Sequence, residues 1–293
     1  CRGCGLLYRN PQWTPEEARR FYERLDRYYQ GTLGLQRLSP ELAAAETARA
    51  ERRLATMREY LPPQGRVLEV GAGSGAFLAC AAAAGYQVQG LELDAAALAA
   101  AQARGLPLAY GTIEGLSAPP YWDAIVAFHV LEHLDDPGAF LQAAARLLAP
   151  GGTLQLEVPD VLHEPGKLSY QMPIEHNWHF SAVTLGALLR QQGWRVLRME
   201  EQPAGLGLPS TLFCSAAPGE TPEDDRRWLP ADEYARVKRL LAAHAATYRH
   251  PRALWLLDGA TQVLGPRLGM QLFHAAVRFY QQLRPRHCRE ATR

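Results

Sequence analysis

The sequence predicts an α/β fold built on a doubly wound, largely parallel β-sheet. Between residues 66 and 159, short runs rich in β-branched residues alternate with Ala- and Leu-rich stretches of helical length. That alternation is typical of parallel strands joined by crossover helices. Glycines stand between the first strand and its helix, and 47% of all residues are hydrophobic, enough for a sizeable core.

Five strands, with the helices between them, form the predicted parallel part. We place the strands near residues 66–70, 87–92, 107–109, 123–128 and 153–158. We place the helices near residues 75–84, 95–104 and 138–148, with a turn at 149–152 before the fifth strand. A further helix, "SAVTLGALLRQQG", ends at Gly193 and is followed by "WRVLRMEE" and "STLFCSAAP". The loop between these last two strands is short, so we expect them to be antiparallel, which makes seven strands.

Sequence character divides the chain into four segments. Residues 1–13 contain a Cys-x-x-Cys pair, and residues 14–62 suggest an N-terminal lid of two helices, the second starting after Pro40. Residues 63–218 form the α/β domain. Residues 219–293 read as a C-terminal helical extension whose apolar positions could pack on the core or form a homodimer.

The composition favours a small molecule as the partner. There are 31 basic and 30 acidic residues without a long run of one sign, so nothing indicates nucleic acid or a membrane surface. No apolar run approaches the roughly 18 to 20 residues of a membrane span, and no signal peptide is evident, so we expect a cytoplasmic protein. Five irregularly spaced cysteines argue against a disulfide framework.

The stretch "VLEVGAGSG" predicts a nucleotide-type site. Gly71, Gly73 and Gly75 allow a tight turn and a close approach of ligand to backbone at a helix N-terminus. Glu92 ends the second strand, where a carboxylate can accept both hydroxyls of a ribose. The loop is G-x-G-x-G, whereas a nicotinamide fingerprint is G-x-G-x-x-G. Glu69, just ahead of the loop, would repel a pyrophosphate but suits an amino group.

Four motifs follow one another along the chain: "VLEVGAGSG", "GLELD", "YWDAIVAFHVLEHL" and "LLAPGGTLQLEVP". They resemble the successive motifs of the class I S-adenosylmethionine-dependent methyltransferases, over about residues 50–217. The resemblance implies a Rossmann-like seven-stranded sheet with a reversed last strand, and S-adenosylmethionine as cofactor with S-adenosylhomocysteine as product. It assigns the glycine loop to the methionine end and Glu92 to the ribose. Thr112, where many relatives are acidic, and Ile113 would lie at the adenine edge, with Phe128 and His129 on the pocket floor. The expected cofactor-binding residues are Glu69, Gly71, Ala72, Gly73, Gly75, Glu92, Leu93, Thr112, Ile113, Phe128 and His129.

The stretch "FHVLEHL" contains H-x-x-E-H, the pattern of the inverted zinc peptidases, at His129, Glu132 and His133. Two histidines four residues apart share a face only on a helix. Residues 123–128 are a predicted strand, so His129 should stand at its carboxyl end and His133 on a loop or short turn. We therefore expect no metal site here, a pocket role for His129, and capping or packing for the other two.

A second histidine-rich stretch, "MPIEHNWHFS", lies between the fifth strand and the next helix. Glu175 and His176 form a polar pair within an apolar loop, which is costly to bury without a purpose. We expect His176 to be the catalytic base, with Glu175 beside it and His129 as the second candidate. The alternative is structural, with Ser181 as a helix N-cap.

The N-terminal "CRGCGLLYRNP" resembles the second half of the small zinc ribbon that precedes the methyltransferase domain in the deoxysugar C-methyltransferases. Their segment of "EH", an aromatic residue and "FS" is similar to "EHNWHFS". Cys1 and Cys4 supply only half of a tetrahedral site, and the chain has no second C-x-x-C. We therefore expect this chain to bind zinc weakly or not at all.

Three functions are compatible with these patterns. The leading hypothesis is an S-adenosylmethionine-dependent methyltransferase acting on a small molecule, with a sugar or a secondary metabolite as candidates. A nicotinamide-dependent reductase of the short-chain type would need a Tyr-x-x-x-Lys pair, and Lys167 is preceded at that spacing by His163. The third is a non-catalytic cofactor-binding subunit. Whether O, N or C is methylated and the oligomeric state stay open.

Overall fold

The computed structural model describes most of the region that carries the sequence motifs. It covers residues 1, 4–14, 16–17, 40–117, 121–162, 175–202, 211–219 and 233–248. The first helix of the predicted lid and the apolar helical stretches beyond residue 248, including the proposed dimer surface, lie outside the described residues.

A seven-stranded sheet forms the centre of the molecule. Its strands are β2 (Arg66–Val70), β3 (Gln87–Glu92), β4 (Leu108–Tyr110), β5 (Trp122–Phe128), β6 (Leu148–Pro159), β8 (Trp194–Gln202) and β9 (Thr211–Pro218). The order across the sheet is β4-β3-β2-β5-β6-β9-β8. Strands β2 to β6 are parallel, and β9 runs antiparallel to both β6 and β8. The predicted seven strands and the antiparallel last pair are confirmed.

Helices cover both faces of this sheet. They are α1 (Pro40–Met57), α2 (Ala76–Ala83), α3 (Ala95–Ala103), α4 (Pro137–Leu147), α5 (Ala182–Gln191) and α6 (Glu233–Tyr248). Asp94, Asp136 and Ser181 begin α3, α4 and α5, and each side chain accepts hydrogen bonds from backbone N–H groups of the first turn. Helix α5 also has a capping box in which Thr184 binds back to Ser181. None of the described helices is long and apolar enough to cross a membrane.

Alternate residues of β5 are buried against helices on opposite faces of the sheet. Ile125 and Ala127 belong to the large core cluster that includes Phe140 of α4. Val126 and Phe128 point the other way, into the cluster formed with α1 and α2. All four strand residues are buried, so β5 is a central strand with both faces covered.

The prediction of a separate turn at 149–152 is wrong. Helix α4 ends at Leu147, and β6 begins at once with Leu148. Leu148 pairs with Trp122, and the register then shifts by a bulge before Thr153 pairs with Ala124. Residues "APGG" thus lie as an irregularity inside the strand, because Leu148 already pairs with Trp122 ahead of them, a contact that the sequence alone does not reveal.

A small second sheet joins the N-terminal residues to the second histidine-rich stretch. Strand β1 (Leu7–Tyr8) pairs antiparallel with β7 (Trp178–His179). Arg9 adds two contacts to Asn177, one through its backbone N–H at 2.9 Å and one through its guanidinium at 2.6 Å. The N-terminal segment therefore packs beside the expected catalytic residues.

Candidate active site

Four acidic or imidazole side chains meet at the carboxyl edge of neighbouring parallel strands. Glu92 ends β3, Glu69 lies next to the end of β2, His129 follows β5, and Glu157 lies near the end of β6. In open α/β sheets this edge is where ligands bind. The strand order β3-β2-β5-β6 thus brings together residues separated by up to 88 positions in the chain.

The three glycines of the loop after β2 share a left-handed backbone but serve different ends. Their φ angles are 70°, 53° and 74° at Gly71, Gly73 and Gly75. A Cβ at Gly71 or Gly75 would lie 2.5 Å from a side chain, that of Val130 or Leu106. A Cβ at Gly73 would have no described atom within 4 Å. Gly71 and Gly75 are thus required by packing, and Gly73 faces open space that a ligand can use.

The Glu92 carboxylate ties this loop to the end of β3. Its Oε2 accepts the N–H of Gly73 at 2.6 Å, and its Oε1 accepts those of Leu93 and Asp94 at 2.7 and 2.8 Å. A carboxylate offers about four lone-pair sites, so the group is held in place with acceptor capacity left for a ligand.

Glu69 is buried behind the loop, 4% exposed, and its Oε2 has no hydrogen-bond partner among the described residues. Burial raises the pKa of its carboxyl to about 8; the positive charge of Arg53 opposes this shift, and the negative charge of Glu92 adds to it. Without a ligand, the group is therefore mostly protonated near neutral pH. An ammonium group placed beside it would favour its ionised form.

The expected adenine side is lined by residues of different character. The side chains of Leu93 and Tyr110 are 55% and 68% exposed, unusual for large apolar groups. Thr112 is exposed, whereas Ile113 is fully buried in the main core. Ala72 is also buried, in a separate small cluster with Leu78. Tyr110 was not predicted as a site residue; its place at the end of a strand beside Glu92 is the signal that points to it.

Phe128 faces the helices and not the space above the sheet. Its ring packs against Phe77, with ring centroids 5.0 Å apart, and under the guanidinium of Arg53 at 4.2 Å. The pocket floor at this point is therefore shaped by the next residue, His129.

His129 lies between two buried carboxylates. Its Nδ1 is 3.3 Å from Glu132 Oε1, and its Nε2 is 3.1 Å from Glu157 Oε1. The other oxygen of Glu157 accepts a hydrogen bond from Arg53 Nε at 2.6 Å. The His129 side chain remains one third exposed (33%), so the network ends in a group that a ligand can reach.

The electrostatics of this network favour charged forms. Burial opposes ionisation of Glu132 and Glu157, but hydrogen bonds and charge from His129 outweigh it. They lower the pKa of Glu132 to about 2 and hold that of Glu157 well below its usual range, with Arg53 contributing to the latter. Burial also opposes the imidazolium of His129, yet the hydrogen bonds to Glu132 and Glu157 raise its pKa.

The H-x-x-E-H pattern does not form a helix. Residues 129–136 form an irregular connection, and its one turn, residues 130–133, is closed by the His133 N–H donating to the Val130 carbonyl at 2.9 Å. His129 itself has φ 57°, a left-handed conformation that histidine adopts more readily than bulky residues, and its N–H donates to the Glu157 carbonyl at 2.8 Å. The prediction that the two histidines need not share a helical face is confirmed.

The second histidine-rich stretch packs directly onto this turn. The N–H groups of Asn177 and Trp178 donate to the Glu132 carbonyl at 2.8 and 3.1 Å. The ring of His176 meets that of His133 edge to face, with centroids 4.6 Å apart. The contacting residues of the two histidine-rich stretches are 42 or more positions apart in the chain, and the fold brings them together.

His176 is less accessible than His129. It is 8% exposed, and burial lowers its pKa to about 3; Glu132 opposes this shift, and the positive charges that His133 and His179 can carry add to it. Its neighbour Glu175 is half-buried, and its Oε2 is buried without a partner in the described part of the chain. His129, reachable and flanked by carboxylates, is the better placed of the two expected bases.

The Tyr-x-x-x-Lys spacing of the short-chain reductases does occur in the chain, at Tyr234 and Lys238 of α6, although it is missing at Lys167. Both side chains are exposed. The residue before this pair, Glu233, accepts a hydrogen bond from Ser181 Oγ at 2.6 Å. Tyr234 and Lys238 thus lie near the start of α5. The glycine loop lies elsewhere in the fold, ahead of α2.

Comparison with known proteins places these features in a family. A family model described as "Methyltransferase domain" matches residues 42–199, more than half of the chain. A ubiquinone biosynthesis O-methyltransferase from Alkalilimnicola ehrlichii is 38% identical over 95 residues, which cover 30% of this chain and 38% of that protein. A probable S-adenosylmethionine-dependent methyltransferase from Mycolicibacterium smegmatis is 32% identical over 134 residues, which cover 44% and 52%. The chain thus spans about two fifths to one half of the length of these curated relatives.

The fold also has solved counterparts. The 1,6-didemethyltoxoflavin-N1-methyltransferase of Burkholderia thailandensis, solved with 1,6-didemethyltoxoflavin and S-adenosylhomocysteine, superimposes with a TM-score of 0.52 over 73% of this chain and 95% of that one. The sequence identity is 19%, so the likeness concerns the fold.

Proposed function

The chain belongs to the class I S-adenosylmethionine-dependent methyltransferases, and we propose that it transfers the methyl group of S-adenosylmethionine to an oxygen atom of a small molecule. The observation that carries this proposal is the buried Glu69 carboxyl with an unpartnered oxygen behind the glycine loop. A buried carboxyl of this kind ionises near neutral pH when a cation lies beside it, and the amino group of the methionine moiety supplies one.

The rest of the cofactor follows the same edge of the sheet. Gly73 leaves space for the ligand chain, Glu92 has acceptor capacity for the ribose, and Leu93 with Tyr110 offers exposed apolar surface for a base. A pyrophosphate beside Glu69 and Glu92 would face two carboxyl groups, which disfavours a nicotinamide dinucleotide.

Methyl transfer from a sulfonium requires an acceptor lone pair aligned behind the methyl group, so positioning supplies much of the rate. A hydroxyl acceptor must also lose its proton. We assign that proton to the neutral form of His129, with one ring nitrogen released from its carboxylate, because the side chain is accessible and lies at the strand end beside the glycine loop. Its two carboxylate partners can stabilise the imidazolium that forms. Since the two carboxylates raise the pKa of His129, the neutral form is populated on the alkaline side of that pKa, and turnover should rise with pH.

The acceptor class rests on the relatives. The curated proteins named above include O-methyltransferases of ubiquinone biosynthesis; a hydroxylated ring is therefore the first acceptor class to test, with sugars next because of the "EHNWHFS" resemblance. The cytoplasm remains the expected location.

Titration calorimetry with S-adenosylhomocysteine tests the donor site. At pH 7, binding should release up to about one proton from Glu69, because the carboxyl changes from its protonated to its ionised form. The observed enthalpy should therefore depend on the ionisation enthalpy of the buffer. Glu69→Gln should remove that dependence and weaken binding by about 10-fold or more.

Glu114→Gln is the matched control, since Glu114 is exposed on the nearby turn after β4. It should behave as the unchanged protein. Tight binding by Glu69→Gln with the same buffer dependence would exclude the assignment. Binding without methylation of any hydroxylated acceptor would instead favour the non-catalytic cofactor-binding subunit.

A further inference from the structure

Glu132 has one carboxylate oxygen that the proposed reaction does not use. Oε1 is engaged by His129, whereas Oε2 is buried and has no hydrogen-bond partner among the described residues. The residue is 1% exposed. An ionised oxygen buried in this way is costly unless something positive faces it.

The imidazoles of His133 and His176 lie close to the Glu132 carboxylate. Ligand atoms of Glu132, His133 and His176 all lie within 4.8 Å of one another. His133 Nδ1 is 3.3 Å from the carbonyl oxygen of Glu175. A carbonyl only accepts, so His133 Nδ1 carries the hydrogen in this contact, as the second nitrogen of a histidine that ligates a metal through Nε2 usually does.

The three side chains are held together by backbone and not by their own contacts alone. The N–H groups of Asn177 and Trp178 bind the Glu132 carbonyl, and Asn177 Nδ2 donates to the His133 carbonyl at 2.9 Å. Both ligand segments are therefore fixed relative to each other before any ion enters.

We propose that Glu132, His133 and His176 bind a divalent transition-metal ion of the zinc type. Two imidazole nitrogens and one carboxylate oxygen are a common donor set for such an ion, whereas Mg²⁺ prefers oxygen ligands. Three protein ligands leave a coordination position for water or for an acceptor oxygen. The proposal replaces the expectation of no metal at the histidines, and it does not depend on the methyl acceptor.

The test measures zinc in the full chain after chelator treatment and equilibrium dialysis against Zn²⁺. We expect about one ion per chain, and a dissociation constant at least about 100-fold weaker in Glu132→Gln and in His176→Asn. His179→Asn is the matched control from the same buried segment, and Cys1→Ser/Cys4→Ser removes the thiolates; both should retain the ion. Addition of Zn²⁺ should raise the melting temperature of the unchanged protein but not that of the two ligand variants.

Binding that persists in both ligand variants, or that disappears in the cysteine variant, overturns the proposal. Co²⁺ provides a second measurement if a ligand variant fails to fold. In the unchanged protein, Co²⁺ spectra without a thiolate charge-transfer band support nitrogen and oxygen ligation, and the appearance of that band rejects it.

Discussion

At the scale of single residues, two glycines of the loop are required by packing and a third is available for ligand contact. Gly71 and Gly75 lack a side chain because Val130 and Leu106 occupy the space, whereas the space beside Gly73 is open. Substitution at Gly73 should therefore act on the ligand more than on the fold.

Gly73→Ala should weaken S-adenosylmethionine binding by about 100-fold while lowering the free energy of unfolding by only about 1 kcal/mol, the strain of a left-handed alanine. Calorimetry and urea unfolding measure the two effects. Gly105→Ala is the matched control, since Gly105 has φ 78°, has open space at its Cβ and lies before β4. It should show the same strain with unchanged binding. Equal affinities for both variants would contradict the assigned role of Gly73.

The assignment of the base is tested at His129. His129→Asn, chosen because asparagine tolerates the left-handed backbone, should lower turnover by about 100-fold or more with donor affinity nearly unchanged. Single-turnover rates at saturating donor measure this. Full turnover in His129→Asn together with its loss in His176→Asn, both measured on chelator-treated protein, would transfer the role to His176.

Local sequence could place Glu69, Glu92 and the glycines at one edge of the sheet, because each has a fixed offset from a strand end. It did not identify the link from Arg53 to Glu157, whose residues are 104 positions apart and meet only when α1 packs on the sheet. The apolar loop around Glu175 and His176 predicts a buried polar pair, but it does not show that His129, whose side chain is 33% exposed, is the more accessible base.

At the scale of elements, α1 does more than cover the core. Arg53 neutralises Glu157, and Glu46 of the same helix accepts a hydrogen bond from Ser74 Oγ of the glycine loop at 2.6 Å. One helix thus contacts both the donor loop and the carboxylate network of His129.

Arg53→Met should lower the free energy of unfolding by about 3 kcal/mol, because the buried Glu157 would lose one of its two cationic partners and keep only His129. Arg52→Met is the matched control, an exposed arginine one position away that should change stability by less than about 0.5 kcal/mol. Equal unfolding midpoints for the two variants in urea would show that the ion pair does not stabilise the fold.

Element boundaries were predictable where a strand or helix is bounded by its own residues. β2 and β3 match the predicted ranges, and the starts of α3, α4 and α5 match their Asp or Ser caps within one residue. The start of β6 was not predictable from the sequence, since Leu148 is held there by Trp122 of the neighbouring strand. Likewise, β1 and β7 are two-residue strands that only their pairing defines.

At the scale of the whole molecule, Glu69 makes global stability depend on pH. Its pKa is 4.5 ordinarily and about 8 in the fold. Between these values the unfolded chain releases the proton and the folded chain keeps it, so cofactor-free protein loses stability as pH rises from about 4.5 to about 8.

Glu69→Gln lacks this titration and should be more stable than the unchanged cofactor-free protein at pH 8, by on the order of 3 kcal/mol, with little difference near pH 4.5. Urea unfolding across this range measures the gap. Glu114→Gln should show no such gap. A constant difference between Glu69→Gln and the unchanged protein at all pH values would contradict the linkage.

The pairing of β1 with β7 restricts where the protein can be tagged or truncated. Tyr8 pairs with Trp178, Leu7 pairs with His179, and Arg9 holds Asn177, so residues 7–9 brace the segment that carries His176. An affinity tag fused at Cys1, or a truncation chosen to begin the protein at α1, is in effect a substitution beside the reaction centre. Assays of activity and of metal content should therefore be run on a chain with these residues present and a carboxyl-terminal or cleaved tag.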